Sequence, residues 1–241
     1  MNTGLTNTSV SSLAIDSMNH IYAGTSAGIY RSSNEGRSWA PIGLRNEFVN
    51  CIAFDISGVI FAGTSNGIYR STDGGSNWTL GNIRTTSTSV CSIALDHLGH
   101  VFVGTYSQGV FRSTDKGLTW TQSSMGLTDK RVNSIAINSS GHMLAGTLTG
   151  IYISTDYGRK WNAPNSNQIA TAVSVIIATN PDWLLVGTFF EGVFLSVNNG
   201  LTWAQSNANL MFSDVRSIAI DHHGRAFAGT AKGGVFRSVK Q

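Results

Sequence analysis

The residues of this chain that are best able to do chemistry are its carboxylates. Among its 241 residues are 13 Asp and Glu. Hydrolysis of a glycosidic bond needs two carboxyl groups about 5–10 Å apart, one of which acts as the acid. Glu191 could form such a pair with Asp214 or with Glu47. The sequence therefore leaves a hydrolase open as one of its functions.

Other patterns of catalysis and metal binding are missing from the sequence. It contains no Gly-rich phosphate loop, no nucleophile elbow and no HExxH motif. His20, His100 and His142 occupy one position of a repeated unit, so we expect them to lie apart. We therefore expect no catalytic residue, no metal site and no cofactor. Cys51 and Cys91 are too few for a disulfide scaffold or a Cys-built zinc site, and we expect free thiols.

Composition excludes several classes of protein. Only 12% of the residues are charged and 41% are hydrophobic, which fits neither a charge-rich coiled coil nor a disordered tail. No apolar run approaches the roughly 18 residues of a membrane-spanning helix. The Lys and Arg residues are scattered, whereas nucleic-acid-binding proteins cluster them, so we expect no nucleic-acid partner. Polar residues follow Met1, and no signal peptide is visible.

The glycines of this chain reveal an internal repeat. Seventeen of its 27 Gly occupy three recurring positions, and Gly-Thr returns at steps of 39 to 42 residues. An apolar segment such as VNCIAFD precedes each Gly-Thr, and Gly-[Ile/Val]-[Tyr/Phe] follows it. β-branched segments separated by Asp- and Gly-containing turns predict short antiparallel strands. We expect four strands in each unit.

Five of the six units then carry an eight-residue box. The boxes read SSNEGRSW, STDGGSNW, STDKGLTW, STDYGRKW and SVNNGLTW. They resemble the Asp-box, or BNR, repeat found in sialidases, xyloglucan-cleaving glycoside hydrolases, photosystem-assembly-factor-like proteins and regulator-type propellers. The resemblance covers essentially the whole chain. It implies that each unit is a propeller blade, and that the parent protein is secreted or periplasmic.

The resemblance also implies a structural role for the boxes. The third box residue would bond the turn backbone, and the Trp would pack beneath the turn. The residues concerned are Asn34, Trp39, Asp73, Trp78, Asp115, Trp120, Asp156, Trp161, Asn198 and Trp203. Two boxes have Asn instead of Asp, but an Asn side chain accepts the same hydrogen bonds. One carboxylate in each turn is too few for a calcium site.

The sequence therefore predicts an all-β fold, a β-propeller, with six blades favoured. The expected repeats are approximately 1–48, 49–89, 90–131, 132–172, 173–214 and 215–241, within one domain spanning 1–241. The last repeat has neither a box nor a fourth strand. Its third strand would be a bare edge through which a second copy could associate. The first residues, MNTGLTNTS, resemble the linker SSMGLTDKR before the fourth unit.

Candidate ligand contacts are the residues that depart from the repeat on one rim. Loops between second and third strands share this rim with the inter-blade linkers, at the channel mouth where propellers bind ligands. We expect ligand contacts from Tyr106, Phe189, Phe190, Glu191, Arg45, Arg84, Arg131 and Lys232. An aromatic pair beside a carboxylate suits a carbohydrate or a peptide. The alternative is that the two Phe fill gaps between blades or form an ordinary exposed patch.

Three functions remain open. We favour a non-catalytic recognition or scaffold module that binds a carbohydrate, peptide or protein. The second is a carbohydrate-active hydrolase, and the third is a structural repeat that self-associates through its last blade. A sialidase-like site needs three converging arginines, but the repeated arginines lie at one position of separate blades. These are Arg31, Arg70, Arg112 and Arg237.

Overall fold

The repeated apolar segments form strands that pair only with their neighbours. The computed structural model describes residues 2–83, 88–163, 169–179 and 183–238. In these ranges, 22 strands form six antiparallel sheets, one for each predicted repeat. Within the same ranges, no helix is long and apolar enough to cross a membrane. The predicted all-β propeller class with six blades is confirmed.

The chain divides into two compact units, and the first spans residues 1–122. This first unit holds blades 1 to 3, each a four-stranded meander. The strands are β1 Val10–Ile15, β2 Ile21–Thr25, β3 Gly28–Ser32, β4 Ala40–Gly43, β5 Val49–Phe54, β6 Ile60–Thr64, β7 Gly67–Ser71, β8 Thr79–Leu80, β9 Val90–Leu95, β10 Val101–Thr105, β11 Gly109–Ser113 and β12 Thr121–Gln122. The predicted box lies between the third and fourth strands of each of these blades.

The second unit spans residues 123–241 and holds blades 4 to 6. Its strands are β13 Val132–Ile137, β14 Met143–Thr147, β15 Gly150–Ser154, β16 Val173–Ala178, β17 Leu184–Thr188, β18 Val193–Ser196, β19 Ala204–Gln205, β20 Val215–Ile220, β21 Ala226–Thr230 and β22 Gly234–Arg237. Among the residues that the structure describes, blade 5 has four strands and blade 6 has three, as expected. Blade 4 differs from expectation, because its described residues form three strands and an isolated bridge between Ile153 and Asn162 in place of the fourth. In the sequence Pro164 follows closely, and proline has no N–H to donate to a ladder.

Every first strand carries a β-bulge at its second residue. In β1, Val10 pairs with Thr25 and Ser12 pairs with Gly24, so Ser11 stands opposite no residue. The other five bulge residues are Asn50, Cys91, Asn133, Ser174 and Arg216. A bulge changes the direction of its side chain. Four of these side chains donate a hydrogen bond to the next blade. In one of them, the Ser174 hydroxyl donates to the Val215 carbonyl at 2.6 Å.

Within each unit the cores lie between neighbouring sheets, and a valine–glycine contact joins each pair of neighbouring blades. Val49 of blade 2 is fully buried against Gly24 of blade 1. A Cβ on Gly24 would come within 2.8 Å of Val49 Cγ1. The equivalent pairs are Gly63 with Val90, Gly146 with Val173 and Gly187 with Val215. The Gly of these four Gly-Thr pairs is therefore required, because a side chain there would collide with the valine of the next blade.

The residues before β1 run along blade 1 as a linker runs along blade 4. The Trp39 N–H donates to the Thr3 carbonyl at 2.8 Å, and the Trp161 N–H donates to the Met125 carbonyl at 2.8 Å. The similarity between the first residues and the linker before blade 4, noted in the sequence, is therefore confirmed in the structure. Blade 1 begins with the same supporting segment as an internal blade.

Candidate functional site

Three loops of the second unit form one continuous surface, which we call the blade 5–6 surface. It consists of residues 189–192, 206–214 and 231–233. The Gly192 N–H donates to the Ser213 carbonyl at 3.0 Å, and the Ala231 N–H donates to the Asp214 carbonyl at 2.9 Å. The Asn207 side chain donates to the Glu191 carbonyl at 2.7 Å. Backbone hydrogen bonds therefore hold the three loops together.

Two adjacent phenylalanines give this surface its apolar character. Phe189 and Phe190 follow the buried Thr188 at the end of β17, and their ring centres lie 6.3 Å apart at an angle of 49°. Phe190 is 70% exposed, whereas Phe189 is half-buried. The two rings therefore differ in environment: the Phe189 ring is partly covered by its neighbours, and the Phe190 ring faces solvent.

Arg216 explains why Phe189 is held in place. Its guanidinium carbon lies 4.7 Å from the centre of the Phe189 ring, the geometry of a cation–π interaction. The same guanidinium donates from Nη2 to Asp214 Oδ2 at 2.8 Å, and its Nε lies 2.6 Å from Asp214 Oδ1. Arg216 was missed in the sequence because it occupies a regular repeat position. The available signal was its charge, since the other five bulge residues are Ser, Asn or Cys.

Glu191 and Lys232 place charges on the blade 5–6 surface. Both side chains are exposed. In the described ranges neither makes an ion pair, and the Glu191 carboxylate accepts no hydrogen bond. The backbone of Glu191, in contrast, is fixed: its N–H donates to Thr188 Oγ1 at 2.9 Å. Glu191 therefore presents an uncommitted carboxylate on a rigid backbone.

The linker adds two further apolar side chains. Met211 is 80% exposed and Phe212 is 40% exposed. The Phe212 ring packs directly over Gly233, where no Cβ would fit, and lies 6.3 Å from the Phe236 ring. Met211 is thus a flexible contact beside the fixed Phe212 ring, and both extend the apolar part of the surface.

Three of the expected contacts do not belong to the three loops of this surface, and a fourth is outside the described residues. Tyr106 and Arg45 are exposed on the first unit. Arg131, on the second unit, donates to Asp129 at 2.9 Å. Burial raises the pKa of Asp129, but the bonds from Arg131 outweigh this and hold the pKa below its ordinary value. Arg84 is the residue outside the described ranges.

Asp214 and Glu47, the two carboxylates considered as partners of Glu191 in hydrolysis, are both bound by other side chains. Asp214 is held by Arg216 as described above. Glu47 accepts the Tyr69 hydroxyl and the Asn66 amide, each at 2.9 Å. Burial and the Glu47 carboxylate both raise the pKa of Tyr69. Each proposed partner of Glu191 is therefore already bound to residues of its own surroundings.

The box residues bond their own turns. Asp73 Oδ1 accepts the Asn77 N–H at 2.8 Å, and this bond with the Asn77 amide and Ser71 hydroxyl lowers the pKa of Asp73 to about 2. Asn34 Oδ1 accepts the Ser38 N–H at 2.9 Å in the same way. The corresponding bonds are made by Asp115, Asp156 and Asn198. These side chains are committed to backbone donors.

The five box tryptophans differ in burial and bonding. Trp161 is 1% exposed, and its Nε1 donates to the Ser123 carbonyl at 2.7 Å. Trp78 and Trp203 are hydrogen-bonded to their own turns. The buried Nε1 atoms of Trp39 and Trp120 have no acceptor in the described part of the chain. The sequence pattern alone does not distinguish these environments.

The potential metal ligands of the described ranges are dispersed. Within the described ranges, no three His, Cys, Asp or Glu side chains gather as a metal site would require. Cys51 and Cys91 are free, and burial raises the pKa of both thiols. A cavity of about 400 Å³ lies at the opposite end of blade 5, between Ile153 and the Val197–Leu201 turn.

Comparison with solved structures identifies the fold. An ancestral GH74 enzyme matches with a TM-score of 0.79 and 21% identity, over 96% of this chain and 36% of that chain. The WD40 β-propeller domain of Doa1 matches with a TM-score of 0.74 and 13% identity, over 95% and 78%. This chain has a β-propeller fold. It spans about a third of the GH74 chain.

YCF48 bound to the D1 peptide is a further structural neighbour of this propeller. The TM-score is 0.75 with 15% identity, over 96% of this chain and 77% of that chain. The comparisons with family models and with curated proteins find no match. The structural neighbours of this propeller therefore include both an enzyme and a peptide-bound protein, and the fold does not decide between catalysis and binding.

Proposed function

We propose that this propeller is a non-catalytic recognition module, and that it binds a peptide segment of a partner protein on the blade 5–6 surface. The observation that carries the proposal is the pair Phe190 and Glu191. A large aromatic ring is 70% exposed beside a carboxylate without a partner in the described chain, on a loop fixed by hydrogen bonds. Exposed apolar groups rimmed by polar ones mark interaction sites.

The shape of the surface favours a peptide over a carbohydrate. A sugar ring stacks on one flat aromatic face, but Phe189 and Phe190 are tilted by 49° and present no common plane. Met211 is flexible and adapts to irregular side chains. Glu191 would accept an ion pair from a basic residue. The expected ligand is therefore an extended segment with an apolar side chain next to Lys or Arg.

The ion pair between Asp214 and Arg216 argues against catalysis. A general acid needs a carboxyl group that can hold and release a proton near the substrate. The two carboxylate oxygens of Asp214 lie 2.8 and 2.6 Å from the Arg216 guanidinium, so this carboxylate is already engaged by a charged side chain of its own chain. Glu191 alone is one carboxylate where hydrolysis of a glycoside needs two.

Peptide selection tests the proposal. A library of random peptides displayed on phage is panned against the protein, and enriched peptides are measured by fluorescence polarisation. We expect enrichment of an apolar residue beside Lys or Arg, and a loss of at least tenfold in affinity in Phe190→Ser. The matched control is Leu201→Ser, since Leu201 is 71% exposed at the other end of blade 5. It should bind like the wild type.

Two other results would overturn the peptide proposal. One is a glycan array that is positive for the wild type and silent for Phe190→Ser, without any enriched peptide. The other is turnover on a panel of glycosides that Glu191→Gln abolishes, which would restore the hydrolase. If Phe190→Ser and Leu201→Ser lower the affinity for the peptide equally, the binding surface lies elsewhere.

A further inference from the structure

Two charged residues of the repeat are replaced together in blade 4. Blades 1, 2, 3 and 6 have an Asp directly after the first strand and an Arg near the end of the third strand. The four Asp–Arg pairs are Asp16 and Arg31, Asp55 and Arg70, Asp96 and Arg112, and Asp221 and Arg237. Blade 4 has Asn138 and Ile153 at these positions. This end of blade 4 has therefore lost a negative and a positive charge at the same time.

Blade 2 shows how the arginine is used. The Arg70 Nε donates to the Lys116 carbonyl in the box turn of blade 3 at 2.8 Å. A Cβ on Gly117 of the same turn would lie 3.4 Å from the Arg70 Cδ, so the stem of this side chain also packs there. The arginine of one blade thus fills the space beside the box turn of the next. In blade 4, Ile153 packs against Gly200 of the blade 5 turn, but its side chain is shorter and has no N–H to donate.

The cavity of about 400 Å³ lies beside this shorter side chain. Its volume is within the range of about 300–1,000 Å³ in which small molecules are bound. Three aliphatic side chains line it, Ile153 of blade 4 and Val197 and Leu201 of the blade 5 turn. Val197 and Leu201 are 55% and 71% exposed. A ligand that covers them would remove apolar surface from water, which favours binding.

His142 also lines the cavity, and it differs from the histidines at its position in other blades. His20 Nδ1 of blade 1 lies 2.9 Å from the Asp16 carboxylate. His100 Nδ1 of blade 3 lies 2.7 Å from the Asp96 carboxylate. In both blades the residue after the first strand therefore holds the imidazole.

In blade 4 the corresponding residue is bound to a different partner. The Asn138 amide donates to Asn199 Oδ1 in the box turn of blade 5 at 2.7 Å. Its carbonyl oxygen accepts the backbone N–H of His142 at 2.8 Å. Among the residues that the structure describes, none makes a hydrogen bond to the His142 imidazole. This ring can therefore donate a hydrogen bond to a ligand or accept one from it.

We propose that this cavity binds a small uncharged molecule with an apolar body and one hydroxyl or similar polar group. The body would lie against Ile153, Val197 and Leu201, and the polar group would bond the His142 imidazole. Of the described residues that line the cavity, none is Asp, Glu, Lys or Arg. A charged ligand would find no opposite charge there, and burial of an unpaired charge is costly.

Chemical shifts of isotope-labelled Ile, Leu and Val methyl groups test the proposal. Added para-cresol should shift the methyl signals of Ile153, Val197 and Leu201 saturably. Toluene, which lacks the hydroxyl, should bind about threefold to tenfold more weakly, the effect of one net hydrogen bond. Methylguanidinium should cause no saturable shift. Leu118 is the internal control, because it holds the position of Leu201 in blade 3, where Arg70 fills the space; its methyl signals should not move.

Two variants separate the contributions of the apolar wall and the imidazole. Ile153→Arg should fill the cavity and raise the dissociation constant of para-cresol about tenfold or more. His142→Val should abolish the preference for para-cresol over toluene. Both variants introduce residues that blade 2 carries at these positions, Arg70 and Val59, so we expect both to fold. Circular dichroism checks this.

Three results would overturn the proposal. The first is a wild-type protein whose methyl signals respond to neither para-cresol nor toluene. The second is binding of para-cresol that is as tight in Ile153→Arg as in the wild type. The third is saturable binding of methylguanidinium in place of para-cresol, since the cavity would then take a cation where other blades have arginine. Peptide binding on the blade 5–6 surface should be unchanged in Ile153→Arg, so the two proposals fail independently.

Discussion

The Arg216 guanidinium lies 4.7 Å from the centre of the Phe189 ring while it bonds the Asp214 carboxylate. This arrangement joins the first strand of blade 6 to a loop of blade 5. It depends on the β-bulge, which turns the Arg216 side chain out of the ladder. The ring that stays exposed, Phe190, therefore rests on a loop whose neighbouring side chain is fixed.

A double-mutant cycle measures this relationship. Phe189→Leu and Arg216→Met, singly and together, should give a coupling of about 0.5–1 kcal/mol in the free energy of unfolding, the range of an exposed cation–π pair. The single and the double variant that carry Arg216→Met both lose the bond to Asp214, so this loss cancels in the coupling energy. Urea denaturation provides the measurement. A coupling that is indistinguishable from zero would show that the stacked geometry contributes no stability.

The carboxylates of the box turns predict a dependence of stability on acid pH. The Asn77 backbone and side chain lower the pKa of Asp73 to about 2 in the folded protein, and an unfolded Asp has a pKa of about 3.9. The stabilisation is therefore fully present above pH 4 or so and is lost as the pH falls toward about 2. Asp73→Asn should keep the turn but make the urea midpoint depend less on pH.

The first box offers the reciprocal control for this pH effect. Asn34 accepts the Ser38 N–H with the geometry that Asp73 has toward Asn77. Asn34→Asp should therefore make the urea midpoint fall more steeply between about pH 4 and pH 2. If neither substitution changes the slope, these turns do not contribute to acid unfolding. Asp73→Ala should lower the midpoint at every pH, because the turn donors lose their acceptor.

The sequence predicts the strands and turns that recur in the units, but it does not predict the side-chain contacts between neighbouring blades. The segment VNCIAFD predicts β5, which spans Val49–Phe54, because period and turn chemistry are local properties. The bulge recurs in every first strand, but residues of different types occupy it, so the sequence does not mark it. The contact of Arg216 with Phe189 depends on how two neighbouring sheets meet. Such long-range contacts leave no periodic signal. Within the described residues, the fourth strand of blade 4 is reduced to the bridge between Ile153 and Asn162, and the repeat does not predict this departure either.

The glycines of Gly-Thr should differ in their tolerance to alanine. In Gly24→Ala the added Cβ would lie 2.8 Å from Val49 Cγ1 and 3.1 Å from the Val49 carbonyl, so the two sheets must separate. We expect the free energy of unfolding to fall by about 1–3 kcal/mol. In Gly229→Ala the new Cβ meets only the Ser217 hydroxyl, which can rotate, and we expect a change within about 0.5 kcal/mol. Urea unfolding measures the free energy of unfolding of both variants. Equal decreases would contradict the explanation by valine–glycine contacts.

Two box tryptophans should differ in the cost of replacement by phenylalanine. Trp161 is buried and its Nε1 donates to the Ser123 carbonyl, so Trp161→Phe leaves that carbonyl without its donor, at a cost of about 1–3 kcal/mol. The Nε1 of Trp120 is buried with no acceptor in the described part of the chain. Trp120→Phe removes that unsatisfied donor, which offsets the smaller ring, so its cost should be lower by about 1–3 kcal/mol. Equal costs in urea unfolding followed by circular dichroism would show that ring volume, and not the indole N–H, determines the stability of these turns.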